Sequence, residues 1–495
     1  MPPQIKGLPE DSSSVPKTAG SMGWLKPATI LLFAPYFLVV AWDGLKAPFA
    51  ADDMQAIHTY WHPSPLRLLT SQFLIWRGYW RPMVGFFYLP IFRVWGLNPA
   101  PYHAVLLLLL AIGAYQLYRF ARALGSGELP AAIAALIACY HGGLANLYYN
   151  TVYVGDVLCG VFYWAAFAHY ARIRATGRLP SRGQTAAFLG LYLCALNSKE
   201  IAVTMPVMLL AYEWLYHKPP PLRWKEFAGW LRGPGRVLCL AGLLNVVYIY
   251  GKAFGPYGLM KEPAYKPVLS WERIADFQVR YLSNIFYQVN RLDGLATCAL
   301  WLIVTYFAWR RNRPILRFCW VYVVLAPLPI EFLIGRDQAN LYVTLAGWAV
   351  FAATLFVDCL PGAARVLSGE PLLRRLGQPR LRAMLALAGM IVLAWGTWNY
   401  EQTWVVSAIP KLSPLTAEVL AQFRAMNPRV PRGATVVFLE DPWPGGYDML
   451  FIAELWFGDR NTHVYLNQKQ ALTPIQMANT DAVFTWKEGK LVRVQ

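Results

Sequence analysis

Asp52 and Asp53 stand side by side just beyond the first long apolar run of the chain, residues 27–42. A carboxylate at a membrane surface can be held ionised by nearby cations. It can also be raised in pKa by desolvation and by repulsion from its neighbour. Either state suits proton transfer to or from a substrate hydroxyl, and the plain alternative is a loop with two solvated acids. More ionisable residues fall at the ends of later apolar runs: Arg81, Asp156, the pair Lys199–Glu200, Arg291, and the pair Arg336–Asp337. Such groups are costly at membrane depth and are usually paired or functional. Acids with several cations on one side suit a substrate with an anionic leaving group, such as a lipid phosphate. Structural roles stand beside this one. Lys199 and Glu200 can bridge each other at a helix junction, and Asp156 can hydrogen-bond within a bundle.

His58 and His62 are four residues apart, so they share a face if that stretch is helical. Near two aspartates this spacing allows a divalent metal, whereas the flanking Tyr60 and Trp61 suit an interfacial aromatic belt. The expectation is that the site holds no metal. His103, His141 and His169 stand alone on apolar runs and read as packing residues. Seven cysteines, Cys139, Cys159, Cys194, Cys239, Cys298, Cys319 and Cys359, lie in or beside apolar runs without a CxxC pair, which argues against a disulfide framework or structural zinc. There is no Walker motif, no GxGxxG and no serine nucleophile elbow, so nothing points to nucleotide binding.

The elements that must position these groups are membrane helices. The chain of 495 residues is 57% hydrophobic and 15% charged, with a net charge of +18; its mean hydropathy is +0.34. Several runs approach the roughly 20 apolar residues that span a bilayer. Placement of the charge matters more than its sum, because Lys and Arg collect in cytoplasmic loops; a nucleic acid partner is not expected. Residues 1–22 read as a disordered cytoplasmic tail. Residues 23–400 read as the membrane domain, with external loops at 43–100 and 252–292. The first loop carries Trp61, Trp76, Tyr79, Trp80 and Trp95, residue types of the bilayer interface, and reads as interfacial helices. A short spanning helix at 82–92 is the alternative. Spans are expected at 102–118, 129–147, 152–170, 185–196, 201–216, 237–251, 295–309, 315–333, 341–357 and 384–399. With the first run this makes about 11 helices, and every inside loop is basic when the amino terminus is inside and the carboxyl terminus outside. Residues 401–495 change character, with strands expected at 434–439 and 463–466, a helix at 448–457, and a hairpin around Lys487-Glu488-Gly489. The fold class is therefore a polytopic α-helical membrane protein with a small C-terminal α/β domain outside the membrane.

In this order the residues resemble the GT-C superfamily of integral-membrane glycosyltransferases. The likeness is to the O-mannosyltransferase-like proteins, including the transmembrane and TPR-containing type. It rests on Asp52-Asp53-Met54-Gln55-Ala56-Ile57, on Trp80-Arg81-Pro82, and on Trp95-Gly96-Leu97-Asn98-Pro99 with His103. It also rests on Ser198-Lys199-Glu200 followed by an apolar stretch to Pro206, and on Leu341-Tyr342. It covers residues 24–400; the Lys-Glu and Gly-x-Asn-Pro segments are its more specific parts. Two departures are plain: Arg336 lies six residues before Tyr342 rather than beside it, and the TPR array is replaced by the α/β domain.

The resemblance implies transfer of a sugar from a polyprenyl-phosphate donor to a protein or glycan acceptor, with inversion, on the external face. The lack of the TPR array points to a bacterial inner membrane, where that face is periplasmic. Asp52 would act as base and Asp53 would support it. Arg81, Asp156, Lys199, Glu200, Arg291, Arg336 and Tyr342 would bind the donor phosphate or substrate, with the lipid bilayer around the prenyl chain. Rival readings are a lipid or small-molecule transporter or flippase, whose helices would show inverted repeats, and a non-catalytic membrane assembly protein.

Overall fold

In a computed structural model of the chain, the later apolar runs fall on helices, two of them interrupted. The residues described are 34–35, 37–39, 41–73, 80–217, 219–221, 223–255, 258–287, 292–336, 338–369, 377–405, 414–443, 445–470, 472–474 and 478–495. The tail 1–22 and most of the run 27–42 lie outside them. Local chemistry sets where helices begin. Pro65, Pro82, Pro99 and Pro314 occupy first turns, where a missing N–H costs nothing. Ser64, Asn98, Ser270 and Asp293 accept a backbone N–H as caps, and Ser181 forms a reciprocal box with Gln184.

Six helices among the described residues are long and apolar enough to cross a membrane: Pro99–Ala123, Thr151–Ala175, Arg236–Lys261, Pro314–Glu331, Gln338–Leu367 and Gly377–Val405. Glu128–Cys139 and Gly294–Arg310 are shorter apolar helices. The chain is a multi-pass integral membrane protein. The first loop folds as helices Ala51–Trp61, Pro65–Ser71 and Pro82–Trp95, and the later loop contains the helix Trp271–Ile285.

Two expected spans are interrupted. Residues 129–147 do not form one helix: the segment Glu128–Cys139 has 12 residues, about 18 Å of axis. The chain then turns through Gly142 and Gly143. A Cβ on Gly143 would lie 2.0 Å from the Asn284 carbonyl oxygen, and one on Gly142 would lie 2.6 Å from the Tyr400 ring, so only glycine permits this approach. In 315–333 the helix Pro314–Leu325 gives way at Pro327, and Leu328–Glu331 forms a separate turn, as expected where proline removes a backbone donor.

The bundle packs around Tyr342. A Cβ on Gly113 would lie 2.4 Å from the Tyr342 hydroxyl, and one on Gly160 would lie 2.8 Å from its ring. Small residues at such crossings let helices approach closely where lipid supplies no hydrophobic drive. At the other end of the bundle Arg174 makes a buried two-pronged pair with Glu213, which also accepts from Tyr170.

The C-terminal unit is a four-stranded sheet. Its strands are β1 (Thr435–Phe438), β2 (His463–Leu466), β3 (Ala482–Lys487) and β4 (Lys490–Arg493), in the order β2-β1-β3-β4. β1 runs parallel to β2 and β3, while β3 and β4 form an antiparallel hairpin. Glu488 and Gly489 both take positive φ, 50° and 75°, the pattern of a two-residue hairpin turn. Helices Pro414–Met426 and Asp448–Phe457 cover the sheet.

Candidate active site

The helix Ala51–Trp61 gives its two acids opposite surroundings. Asp53 is fully buried. Its carboxylate accepts the Ala50 N–H at 2.8 Å and the Thr151 hydroxyl at 2.6 Å. The Tyr88 hydroxyl lies 3.1 Å from the same Thr151 oxygen. Burial pushes the Asp53 carboxyl up to about 7; the bonds from Thr151 and from backbone N–H groups act against this, and the neighbouring Asp52 charge adds to it. Asp52, about 100° further round the helix, is exposed and makes no hydrogen bond among the described residues. Both acids sit in a first helical turn, where the backbone dipole favours negative charge.

The cations are assembled beside this helix by crossed pairing. Lys199 and Glu200 do not pair with each other. The Lys199 ammonium donates to Asp156 at 2.8 Å and to Asn340 at 3.1 Å. Glu200 accepts a fork from Arg81, with Nη2 at 2.8 Å and Nε at 3.1 Å. Lys252 lies 3.9 Å from Glu200 and donates to the Trp80 carbonyl. Burial alone would raise the Glu200 carboxyl, but Arg81 and Lys252 outweigh it and bring it to about 2. Gly155 makes the junction possible: a Cβ there would lie 3.0 Å from the Ser198 carbonyl oxygen and 3.3 Å from Val84.

Backbone and side-chain bonds tie this cluster to the acid helix. The Tyr60 hydroxyl accepts the Arg81 N–H at 2.9 Å. Asn197 donates to the Gln72 carbonyl at 2.9 Å, and its own carbonyl accepts from Met83 N–H at 3.3 Å. The first loop and the Lys199–Glu200 junction are thus one framework.

Arg336 stacks 4.7 Å above the Tyr265 ring and has no carboxylate partner among the described residues. Tyr265 is in turn close enough to Arg81 to act on its charge. Tyr342 does not join this group. It is buried against Gly113, Gly160 and Trp164, and its hydroxyl has no hydrogen-bond partner among the described residues. Arg291 and Asp337 lie outside the described residues.

Several site residues escape sequence reading. Lys252 stands at the end of an apolar run, and a cation in that place is the kind of signal that could have singled it out. Asn340 carries no such signal. The C-terminal unit also reaches the site: Glu454 contacts His58 at 2.5 Å, and burial, with repulsion from Asp52 and Asp441, raises the Asp448 carboxyl.

No family model matches the chain, and no curated protein matches it. Among solved structures the chain is similar to ArnT from Cupriavidus metallidurans in the apo state, at 12% identity over 93% of each chain, with a TM-score of 0.49.

Proposed function

We propose that this membrane protein is a glycosyltransferase of the GT-C type that moves a sugar from a polyprenyl-phosphate donor to an acceptor hydroxyl, with inversion at the anomeric carbon. The observation that carries the reading is the exposed Asp52 carboxylate, free of hydrogen bonds among the described residues, on a helix whose Tyr60 holds Arg81 in place. Of the motifs that resemble the O-mannosyltransferase-like proteins, Asp52-Asp53, Trp80-Arg81-Pro82 and Ser198-Lys199-Glu200 fall in the same framework.

In this reading the acceptor oxygen attacks the anomeric carbon while Asp52 takes its proton. The bond from that carbon to the phosphate oxygen breaks, and the phosphate leaves with the electron pair. Asp52 then passes its proton to water. Asp53, buried and bonded, is a positioning residue. Among the described residues Arg81, Lys199 and Lys252 stand with the carboxylates Asp156 and Glu200, and Arg336 lies over the Tyr265 ring that acts on Arg81, so these six carry a formal surplus of two positive charges. That surplus suits a phosphate monoester, which carries roughly −1.5 to −2 at neutral pH. Fixed charges placed where charge develops act without reorganisation. Arg336 is the cation with no carboxylate to give up among the described residues. The basic ends of the other loops support a reading in which this end of the bundle faces outward, to the periplasm of a bacterial inner membrane.

The test is incubation of the purified chain with a panel of radiolabelled polyprenyl-phosphate sugars and protein or glycan acceptors. Transfer of label from one donor supports the proposal. No turnover of any donor, together with movement of lipid across vesicles, favours a flippase instead.

A further inference from the structure

We propose that His58, His62 and Glu454 form a binding site for a divalent transition-metal ion of the zinc class, which clamps the C-terminal sheet unit onto the helix that carries Asp52. His58 and His62 lie four residues apart on the helix Ala51–Trp61 and at its C-terminal cap, so their rings share one face. Glu454 comes from the helix Asp448–Phe457 of the C-terminal unit. One ligand atom from each of the three lies within 4.8 Å of the others. The shortest separation is 2.5 Å, from His58 Nε2 to Glu454 Oε2.

Two imidazoles and a carboxylate are a ligand set that zinc accepts, with the fourth tetrahedral position left to water. Bonds of about 2.0–2.1 Å put tetrahedral ligand atoms roughly 3.3–3.4 Å apart. Small side-chain rotations therefore convert the present arrangement into a metal site. The ion takes the place of the hydrogen bond between His58 and Glu454, and the ligating His58 nitrogen must be free of its proton. The side chains of His58 and Glu454 are each 21% exposed, so an ion can enter from water. The rings are already held: Phe451 packs on His58 with centroids 5.0 Å apart, and Trp61 packs on His62 at 4.1 Å. Arg460 also faces His62, and its charge opposes the ion, which limits affinity. Asp448, the first residue of the Glu454 helix, faces Asp52, so the clamp fixes what stands over the proposed base.

The experiment uses the full chain, purified in detergent and stripped of metal. It is titrated with Zn²⁺, and with Co²⁺ as a spectroscopic probe. One ion per chain and the visible absorption of tetrahedral Co²⁺ are expected. His62→Ala should weaken binding by about tenfold or more, although the His58–Glu454 contact remains; Glu454→Gln, which keeps the shape, should do the same. If His62→Ala binds as tightly as the parent, or the parent Co²⁺ spectrum shows no tetrahedral site, the three residues are an ordinary ion-pair contact. The readout is metal occupancy, so it stands apart from whether the chain transfers a sugar.

Discussion

Asp52 and Asp53 are neighbours in the chain and opposites in the structure: Asp53 is buried and hydrogen-bonded to Ala50 and Thr151, while Asp52 is exposed with no hydrogen bond among the described residues. One carboxylate is occupied in holding the loop helix against Thr151. The other is exposed, and in the proposed function it takes the acceptor's proton.

Asp53 makes stability depend on pH in a defined direction. Its carboxyl is raised from 3.8 to about 7 in the folded chain. Between those values the folded state keeps a proton that the unfolded chain has lost, so this contribution is full below the lower value and falls as pH rises through the upper one. Thermal unfolding in detergent should show the parent losing stability relative to Asp53→Asn as pH rises from 4 to 7. A constant difference across that window would place Asp53 in contact with water.

Glu200→Gln should destabilise the chain by about 1–3 kcal/mol or more, because it leaves Arg81 and Lys252 without their shared counter-charge. Asp156→Asn should act in the same way through Lys199. Denaturation midpoints of the purified variants check both. Indifference to Glu200→Gln would mean that the Arg81 fork is exposed and of little worth.

The helices were legible because burial in lipid demands long apolar runs. The runs 102–118 and 341–357 fall within the helical spans Pro99–Ala123 and Gln338–Leu367. The C-terminal strands and their hairpin were legible for similar reasons, since β-branched runs and a Glu-Gly turn are local signals. Partners were not. Lys199 and Glu200 look like a pair in sequence, yet each takes a partner from another element, chosen by how Gly155 lets the junction pack. His58 meets Glu454 across 396 residues, a contact no spacing rule reaches. The break after Cys139 was missed because Gly142 and Gly143 serve tertiary approach, which hydropathy does not record.

Arg336→Ala should leave stability almost unchanged and weaken binding of the donor phosphate. Among the described residues Arg336 makes only a ring contact, and a charge-assisted bond is worth about 1.5–3 kcal/mol, a loss of roughly tenfold to a hundredfold. Donor affinity measured directly is the check. Unchanged affinity would remove Arg336 from the phosphate site.

Gly155→Ala should disturb the junction without touching a charge. The new methyl would lie 3.0 Å from a backbone oxygen that cannot swing away, an overpacking that typically costs about 1–3 kcal/mol. Transfer should fall with it, since Lys199 and Glu200 move together. Unaltered stability and transfer would mean that the junction is loose.

The central claim is that Asp52 is the base. Asp52→Asn keeps the side-chain shape but cannot take a proton, and positioned acid–base groups are typically worth about 10²–10⁴ in rate. The measurement is single-turnover transfer from a polyprenyl-phosphate sugar by the parent, Asp52→Asn and Asp53→Asn, with donor affinity and unfolding measured on the same preparations. A loss of that order in Asp52→Asn, with stability and donor affinity unchanged, and a smaller loss in Asp53→Asn accompanied by destabilisation, is the expected result. Near-parental transfer by Asp52→Asn would contradict it.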